Sequence, residues 1–435
     1  MMRQLARRLV PVLAIVTLVA TACGDDDDDD AASSETTGGS GTETTAGGAG
    51  GATGECQEPT GDPIRIGVIG QLQFFAGLGE GTMARAARAN CEGGIAGRPL
   101  EVVEPIDDNN DAQANLDGIQ RLVEQDNVDY VVVTSSVFLP QSSDYLAQNQ
   151  VPFSGWGYMP GFCLPNEWGF GFNGCLSGFA FGVEGAQLNR SLVDPLAEYL
   201  DNPEYTVVSL IADNEGARGG VPQYDALWGD RQLATEFVPA GVTDFTPYVN
   251  TVLEEDPDVV NVSVNLDQAV PFEAALSQAG YDGVIYGYSQ YIPGLLGGSP
   301  DTAAALEGTF AVTQFPPAEA GLPATEQIAA DLEAIGADAF VTQGAQAGYW
   351  SMDTLLQIMA AVAAQGDVND MELFNQVANV DGVDIDFVLE GAPCPWNTLT
   401  AHVDGVPGAA LVSVEDAAYT VVVPFQCWSL EPAPS

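Results

Sequence analysis

The feature that most constrains this fold is a regular alternation of short apolar runs with amphipathic helical stretches, which begins at Ile64. Strands that alternate with helices form parallel sheets covered on both faces, so their sequences are apolar throughout. The alternation fills residues 64–154 and starts again after residue 185. Two successive units predict an α/β fold of two doubly wound parallel-sheet lobes, joined by a hinge, with a ligand cleft between them.

Periodicity and turn residues give the expected bounds of these elements. In the first unit they predict strands over 64–69, 100–104, 130–134 and 151–154, and helices over 81–92 and 138–148. In the second unit they predict a helix carrying Leu188, Leu192, Leu196 and Leu200, further helices over 222–234 and 269–279, and strands over 205–211, 236–239, 259–264 and 283–288.

Residues 1–22 predict a secretory signal peptide. They combine three arginines, an apolar run over Leu9–Ala20 and two small residues, and the run is shorter than the roughly 18 residues that a membrane span needs. Cys23 follows directly and resembles the cysteine of a bacterial lipobox, although Ala20 stands where a larger aliphatic residue is usual. We therefore expect a lipoprotein anchored through Cys23 to the cell membrane, outside the cytoplasm. Plain secretion after cleavage at Ala22 is the alternative.

Residues 23–62 predict a disordered acidic tether, because a run of aspartates and a Gly/Ser/Thr-rich stretch cannot form a core. The chain has 61 acidic residues, 11 arginines and no lysine, with a formal net charge of −50. This charge repels phosphate backbones, so we expect no nucleic-acid partner. Without lysine there is no phosphate-binding or Schiff-base lysine, and the single histidine, His402, excludes multi-histidine metal sites. The sequence therefore predicts no cofactor and no metal ion.

Six cysteines follow Cys23, and an even number in an exported chain predicts disulfides. Many pairings are formally possible. Proximity in sequence favours the pairs Cys163–Cys175 and Cys394–Cys427, which leaves Cys56 for Cys91. A metal site is disfavoured because no two of these cysteines have the spacing of a CxxC motif.

Several segments resemble type I periplasmic binding proteins, in the order in which that family has them. Ile64–Val68, a Gly-rich loop and then Gly93–Leu100 are similar to the start of the family. Further matches are Asp107-Asp108, Val131–Ser136, Thr243–Phe245, Asp258–Val260 and Gln278–Gly280. More narrowly, these segments resemble the leucine/isoleucine/valine-binding family that serves ABC importers. The likeness covers about residues 63–365, whereas the loop at 160–180 and the tail beyond 390 fit it poorly.

The resemblance implies a leucine-binding-protein-like domain over residues 63–425, whose two lobes are joined by three crossovers and close on a ligand. The first lobe is expected over about 63–184 and 290–380, and the second over about 185–289 and the C-terminal segment. Ligand contacts are expected in the first loop and at strand ends, where α/β sheets bind ligands. By position they are Phe74 or Phe75, Ser135, Ser136, Trp156 and Tyr158 in the first lobe, and Asn214, Glu215 and Asn265 in the second.

Several of these residues also have a plainer interpretation. Ser135 and Ser136 can cap a helix as well as hold a ligand carboxylate. Apart from Trp156 and Tyr158, the aromatic side chains over 153–181 are expected to form a core around the Cys163–Cys175 loop.

Charged turn residues leave two further alternatives open. A carboxylate at Asp213 or Glu215 can meet a ligand ammonium or lie in an ordinary turn, and Arg218 can bind a ligand carboxylate or form a surface ion pair. The spacing from Asp107 to Asp111 is that of a calcium loop, but Ala112 stands where the loop needs glycine, which leaves a helix cap.

These observations predict an extracytoplasmic solute-binding protein that captures a small amino acid or amide-like solute and delivers it to an ABC import permease. It is expected to be monomeric and to catalyse no reaction. A ligand-sensing receptor component of the same fold is the alternative within the family. The enzyme alternative is a serine hydrolase that uses Ser289, Asp386 (or Asp384) and His402. It is disfavoured because Tyr291 replaces the second glycine of the nucleophile turn.

Overall fold

The computed structural model describes residues 56–57, 59–163, 166–387, 389–394, 405–428 and 430–432. The predicted signal peptide, the lipidation site Cys23, the tether up to residue 55 and His402 lie outside these residues. Within the described ranges, no helix has both the length and the apolar character that crossing a membrane requires.

The first lobe is built on a six-stranded sheet whose described strand pairs are all parallel. Its strands are β1 (Ile64–Gly70), β2 (Leu100–Val102), β3 (Ile106–Asp107), β4 (Tyr130–Thr134), β5 (Phe153–Gly155) and β6 (Gly169–Gly171). The order is β2-β1-β4-β5-β6, and β3 pairs with the end of β1. The helices between them are α1 (Leu78–Cys91), α2 (Ala112–Glu124) and α3 (Pro140–Gln148).

The second lobe is built on a seven-stranded sheet. Its parallel strands are β7 (Val207–Ala212), β8 (Gln232–Val238), β9 (Val259–Ser263), β10 (Val284–Gly287) and β11 (Phe310–Thr313). Its helices are α4 (Asp194–Leu200), α5 (Glu215–Gly219), α6 (Val221–Trp228), α7 (Thr246–Glu255), α8 (Leu266–Gln278), α9 (Leu295–Gly298) and α10 (Pro300–Leu306). The parallel strands follow the order β11-β10-β9-β7-β8.

The chain passes between the lobes three times, as the family resemblance implies. After β11 it returns to the first lobe as α11 (Pro323–Ala334), α12 (Gln343–Ala363) and α13 (Met371–Asn375). The apolar side chains of these helices are part of the hydrophobic core of the first lobe. It then re-enters the second sheet as β12 (Gly408–Glu415) and β13 (Ala418–Cys427). These two strands pair antiparallel, β12 with β11 and β13 with β12, so the C-terminal segment completes the second lobe.

Three expected bounds are corrected. Residues 290–313 belong to the second lobe, because β11 pairs with β10. The helix expected from Leu188 begins only at Asp194, since Leu188 forms backbone hydrogen bonds with Glu431 instead. The helix expected over 222–234 ends at Trp228, and the chain continues as β8, whose length allows it to pair along all of β7.

All three predicted disulfides are present: Cys56–Cys91, Cys163–Cys175 and Cys394–Cys427. The first attaches the chain to the last residue of α1, and Gln57 N–H donates to the carbonyl of Cys91. Cys56, Gln57 and Gly61, which were expected in the tether, are therefore attached to the first lobe. The third disulfide joins the segment before β12 to the end of β13.

Candidate ligand-binding site

A cavity of about 220 Å³ lies between the two lobes. The first lobe, including the returning helix α12, lines it with Gln71, Phe74, Phe75, Asn110, Thr134, Ser135, Ser136, Trp156, Tyr158, Met159 and Gln343. The second lobe and the crossover leading to it contribute Leu192, Ala212, Asn214, Gly216, Ala217, Tyr224, Ser263, Val264, Asn265, Tyr288, Ser289, Val312 and Gln314. Many of these residues lie at or just beyond the carboxyl ends of parallel strands, where ligands of such sheets bind.

The lining of the cavity is aromatic, apolar and polar, but it is uncharged. Among the described residues that line it there is no aspartate, glutamate or arginine. A charged group that leaves water loses several kcal/mol of hydration, which an opposite charge or a full set of hydrogen bonds must offset. The cavity therefore favours a neutral solute.

Four polar side-chain atoms at the cavity are buried without a hydrogen-bond partner in the described part of the chain. They are Thr134 Oγ1, Trp156 Nε1, Ser289 Oγ and Gln314 Oε1. The indole N–H only donates, the amide oxygen only accepts, and the hydroxyls do either. Because an unsatisfied buried polar group costs about 1–3 kcal/mol, the set suits a solute that carries both a carbonyl oxygen and an N–H or O–H group.

Trp156 is the centre of an aromatic wall. Its ring makes edge-to-face contacts with Phe75, Tyr158 and Phe315 at centroid distances of 5.8, 5.1 and 4.9 Å. Phe74 packs on Phe75 at 4.8 Å. This wall offers an apolar surface to an aromatic or aliphatic part of a solute.

Most other aromatic residues of the stretch 153–181 lie in the core, as the plainer interpretation predicts. The side chains of Phe153, Phe162, Trp168, Phe170 and Phe172 are buried in the first lobe. Their role is to hold the Cys163–Cys175 loop against the first sheet.

Direct contacts join the lobes beside the cavity. Ser136 Oγ donates to Gln71 Oε1 at 2.7 Å, and Gln71 Nε2 donates to Asn265 Oδ1 of the second lobe at 3.1 Å. At a second point, a Cβ added to Gly216 would overlap the carbonyl oxygen of Ser136. The structure therefore describes a closed arrangement of the two lobes.

Gln343, at the start of α12, links the lobes at a further point. Its Oε1 accepts from the backbone N–H of Gln314 at 3.3 Å, and its Nε2 donates to the carbonyl of Tyr288 at 3.3 Å. Gln314 Nε2 in turn donates to Ser191 Oγ at 3.4 Å. The bonds that hold the crossovers together thus also shape the cavity.

Ser135 and Ser136 line the cavity, and neither caps a helix. The helix α3 begins only at Pro140 and has no side-chain cap, so the helix-capping interpretation of the two serines is wrong. Ser135 Oγ accepts from the backbone N–H of Val137 at 3.2 Å. Its hydroxyl also bonds to the buried carboxylate of Asp108, so both of these contacts are made within the first lobe.

Three tyrosines of the lining are neutral. The hydroxyl of Tyr158 accepts from Asn189 Nδ2 at 3.1 Å, and that of Tyr224 bonds with Ser263 and Tyr288. Burial raises the pKa of Tyr158, Tyr224 and Tyr288. These phenols therefore add hydrogen-bonding groups to the cavity, and no charge.

The turn after β7 places only one of its predicted contacts at the cavity. Asn214 lines the cavity and caps α5, its Oδ1 accepting from the N–H of Ala217 at 2.8 Å. Glu215 is exposed and lies outside the lining, because the first turn of α5 directs it away. Asp213 Oδ1 lies 2.6 Å from Arg218 Nε, which is the surface ion pair expected for that arginine. Neither carboxylate of this turn faces the cavity.

The position of Asp386 argues against the hydrolase alternative. Ser289 lines the cavity, but Asp386 is exposed and its backbone is bonded to the Gln357 side chain of α12. Gln357 lies about 20 Å along that helix from the cavity-lining Gln343. Asp386 is therefore out of reach of Ser289.

The calcium-loop spacing is also explained by local structure. Asp111 caps α2, its Oδ1 accepting from the N–H of Ala114 at 2.8 Å, as the cap interpretation predicts. No cluster of three or more potential metal-ligating side chains occurs within the described ranges.

A family profile described as "Periplasmic binding protein" matches residues 63–397. The chain belongs to the periplasmic binding protein family. Members of this family bind solutes and are not enzymes, so the predicted class of a binding protein is confirmed. A comparison with curated protein sequences finds no match.

Solved structures of periplasmic binding proteins share this fold over most of the chain. A leucine binding protein from Thermotoga maritima MSB8 is 14% identical with a TM-score of 0.64, over 85% of this chain and 99% of that chain. A solute binding protein of an ABC transporter from R. palustris, in complex with benzoate, is 13% identical with a TM-score of 0.65, over 85% and 99%. A fatty acid ABC transporter substrate-binding protein from Thermomonospora curvata is 16% identical with a TM-score of 0.66, over 86% and 95%. The predicted two-lobed α/β fold and the resemblance to leucine-binding proteins are confirmed.

Proposed function

We propose that this periplasmic binding protein captures a neutral, amide-like solute with an aromatic or apolar part and delivers it to an ABC import permease. The observation that carries the proposal is the uncharged cavity between closed lobes, whose lining residues include an aromatic wall and four buried polar atoms without a partner in the described part of the chain. An amide carbonyl accepts from Trp156 Nε1–H or a hydroxyl, and an amide N–H donates to Gln314 Oε1. Of the two solute classes expected from the sequence, the amide therefore fits better than the zwitterionic amino acid.

Capture follows from the contacts that exist only in the closed state. Thr134 and Trp156 belong to the first lobe and Ser289 and Gln314 to the second, so a solute that bonds to both sets stabilises closure. Binding is then a shift of the population towards the closed form. That form is the one a permease would distinguish from the open protein.

A comparison of benzamide, benzoate and leucine tests the solute class. Benzamide and benzoate have nearly the same shape and differ in charge, so they isolate the effect of the uncharged lining. We expect benzamide to raise the melting temperature by mass action, and benzoate and leucine at the same concentration to leave it unchanged. Stabilisation by leucine or benzoate without stabilisation by benzamide would contradict the proposal.

We further propose that the protein is a monomer held at the cell membrane by a lipid on Cys23, beyond the acidic tether. The supporting observation is the signal-peptide pattern that ends at Cys23. Replacing Cys23 by serine is expected to move the protein from the membrane fraction to the soluble fraction of the expressing cells. An unchanged distribution, or a native N terminus without a lipid by mass spectrometry, would contradict the anchor.

A further inference from the structure

A second chamber of about 110 Å³ adjoins the ligand cavity. The two spaces share part of their lining, including Tyr158, Tyr224 and Ser263. Other residues line the second chamber and not the cavity, among them Ala180 and Gln223. The chamber therefore lies directly beside the proposed amide site and has residues of its own.

One wall of this chamber comes from the segment that follows the Cys163–Cys175 loop. Ser177, Ala180 and Phe181 line the chamber. The segment is folded on itself, since Phe181 N–H donates to the carbonyl of Ser177 at 3.3 Å. The disulfide at Cys175 fixes the start of this segment, so the wall has a defined position.

Gln223 supplies the chemical character of the chamber. It lies on α6, only 5% of its surface is exposed, and its Oε1 has no hydrogen-bond partner within the described ranges. A carboxamide oxygen only accepts hydrogen bonds. The described lining of the chamber also contains no charged side chain, so the group that suits Gln223 Oε1 is a neutral donor.

We propose that the second chamber is a subsite for the far end of an elongated neutral solute, which donates a hydrogen bond from a terminal hydroxyl or N–H group to Gln223 Oε1. The inference rests on the proposed function, because the other end of the solute occupies the amide site. Its middle part lies along the shared lining, where Met159 and Leu192 offer apolar contacts beside the hydroxyl groups of Tyr158, Tyr224 and Ser263. Gln223 thus selects for a donor at the end of the solute, and the wall at Ala180 limits the length of the solute.

The test compares three ligands by titration calorimetry: benzamide, para-(3-hydroxypropyl)benzamide and para-butylbenzamide. The two long amides have chains of equal length and differ only in the terminal hydroxyl. The wild-type protein is expected to bind the hydroxyl ligand about tenfold more tightly than the butyl ligand, because one ligand satisfies the buried acceptor and the other does not. Gln223→Met, which keeps the side-chain length, is expected to abolish this preference without changing benzamide affinity.

Ala180→Leu is the second variant, and it fills the chamber from a residue outside the amide cavity. It is expected to weaken both long amides at least tenfold while benzamide affinity stays within twofold of the wild-type value. An unchanged hydroxyl preference in Gln223→Met, or long amides that fail to bind a protein that binds benzamide, would overturn the subsite. Failure of benzamide itself to bind the wild-type protein would instead overturn the proposed function.

Discussion

Replacing Gly216 by alanine is expected to weaken solute binding roughly 10- to 100-fold and to leave the melting temperature of the ligand-free protein nearly unchanged. The new Cβ would overlap the carbonyl oxygen of Ser136 across the closed interface, and a backbone atom cannot rotate away as a side chain can. Overpacking of this kind costs roughly 1–3 kcal/mol, and about 1.4 kcal/mol corresponds to a tenfold change in affinity. The cost falls on the closed state alone, because opening the lobes separates these two residues. Titration calorimetry with benzamide measures the change.

Gly298→Ala is the matched control for this variant. Gly298 ends the short helix α9, and a Cβ there would have no neighbour within 4 Å. Its affinity for benzamide should equal that of the wild-type protein. Wild-type affinity in Gly216→Ala would show that solute binding does not need the closed contact between Gly216 and Ser136.

Replacing Glu273 by glutamine is expected to stabilise the protein at neutral pH by about 3 kcal/mol. Glu273 is fully buried on α8, where it accepts from Gln290 Nε2, and burial raises the pKa of its carboxyl from 4.5 to about 8. Its Oε2 and the Oε1 of Gln290 have no partner in the described part of the chain, and a neutral glutamine amide suits this site without having to take up a proton on folding.

The sign follows from where the proton is bound. Between about pH 4.5 and 8 the folded protein keeps the proton of Glu273 and the unfolded chain loses it. The free energy of unfolding of the wild-type protein therefore falls by about 1.4 kcal/mol per pH unit in this window and levels off above it. The glutamine variant lacks this pH-dependent loss of stability. The difference in the free energy of unfolding between the variant and the wild-type protein is therefore near zero at pH 4.5 and grows towards pH 8.

Urea unfolding at several pH values measures this advantage, with Glu254→Gln as the control. Glu254 lies exposed on α7, so its replacement should change the free energy of unfolding by less than about 0.5 kcal/mol at every pH. A glutamine variant at 273 that is less stable than the wild-type protein at pH 7, or whose advantage does not change with pH, would contradict the assignment.

The sequence indicated the fold well wherever local periodicity and tertiary packing agree. The strands β1 and β4 are apolar throughout because both faces are covered, and the pattern predicts their positions closely. The helix expected from Leu188 shows the limit of this reasoning. Leu188, Leu192 and Leu196 are all buried as a helical spacing predicts, but Leu188 pairs with Glu431, a residue far along the chain that no local pattern connects to it.

The candidate site was predictable where a residue ends a strand of its own lobe. Ser135, Trp156 and Asn265 were expected from the family resemblance, agree with this rule and line the cavity. Gln71 follows β1 in the same way, and the rule could have found it. Gln343 could not be found, because it starts α12 and reaches the cavity only when a crossover returns the chain to the first lobe.

The direction in which a side chain points within a short turn could also not be predicted from the sequence. Glu215 and Asn214 are neighbours, yet only the asparagine lines the cavity. Trp156 could be expected at the cavity because it follows β5 directly, whereas Phe181, expected in the core, lines the second chamber. Whether polar atoms such as Gln314 Oε1 would lack partners depends on contacts between the lobes, which only the folded structure gives.

The central claim is that two lobes close on a neutral amide in an uncharged cavity. Small-angle X-ray scattering of the protein alone, and with saturating benzamide, benzoate or leucine, tests it most directly. We predict that benzamide lowers the radius of gyration and that benzoate and leucine leave it unchanged. A radius that stays constant with benzamide bound, or that falls with leucine and not with benzamide, would contradict it.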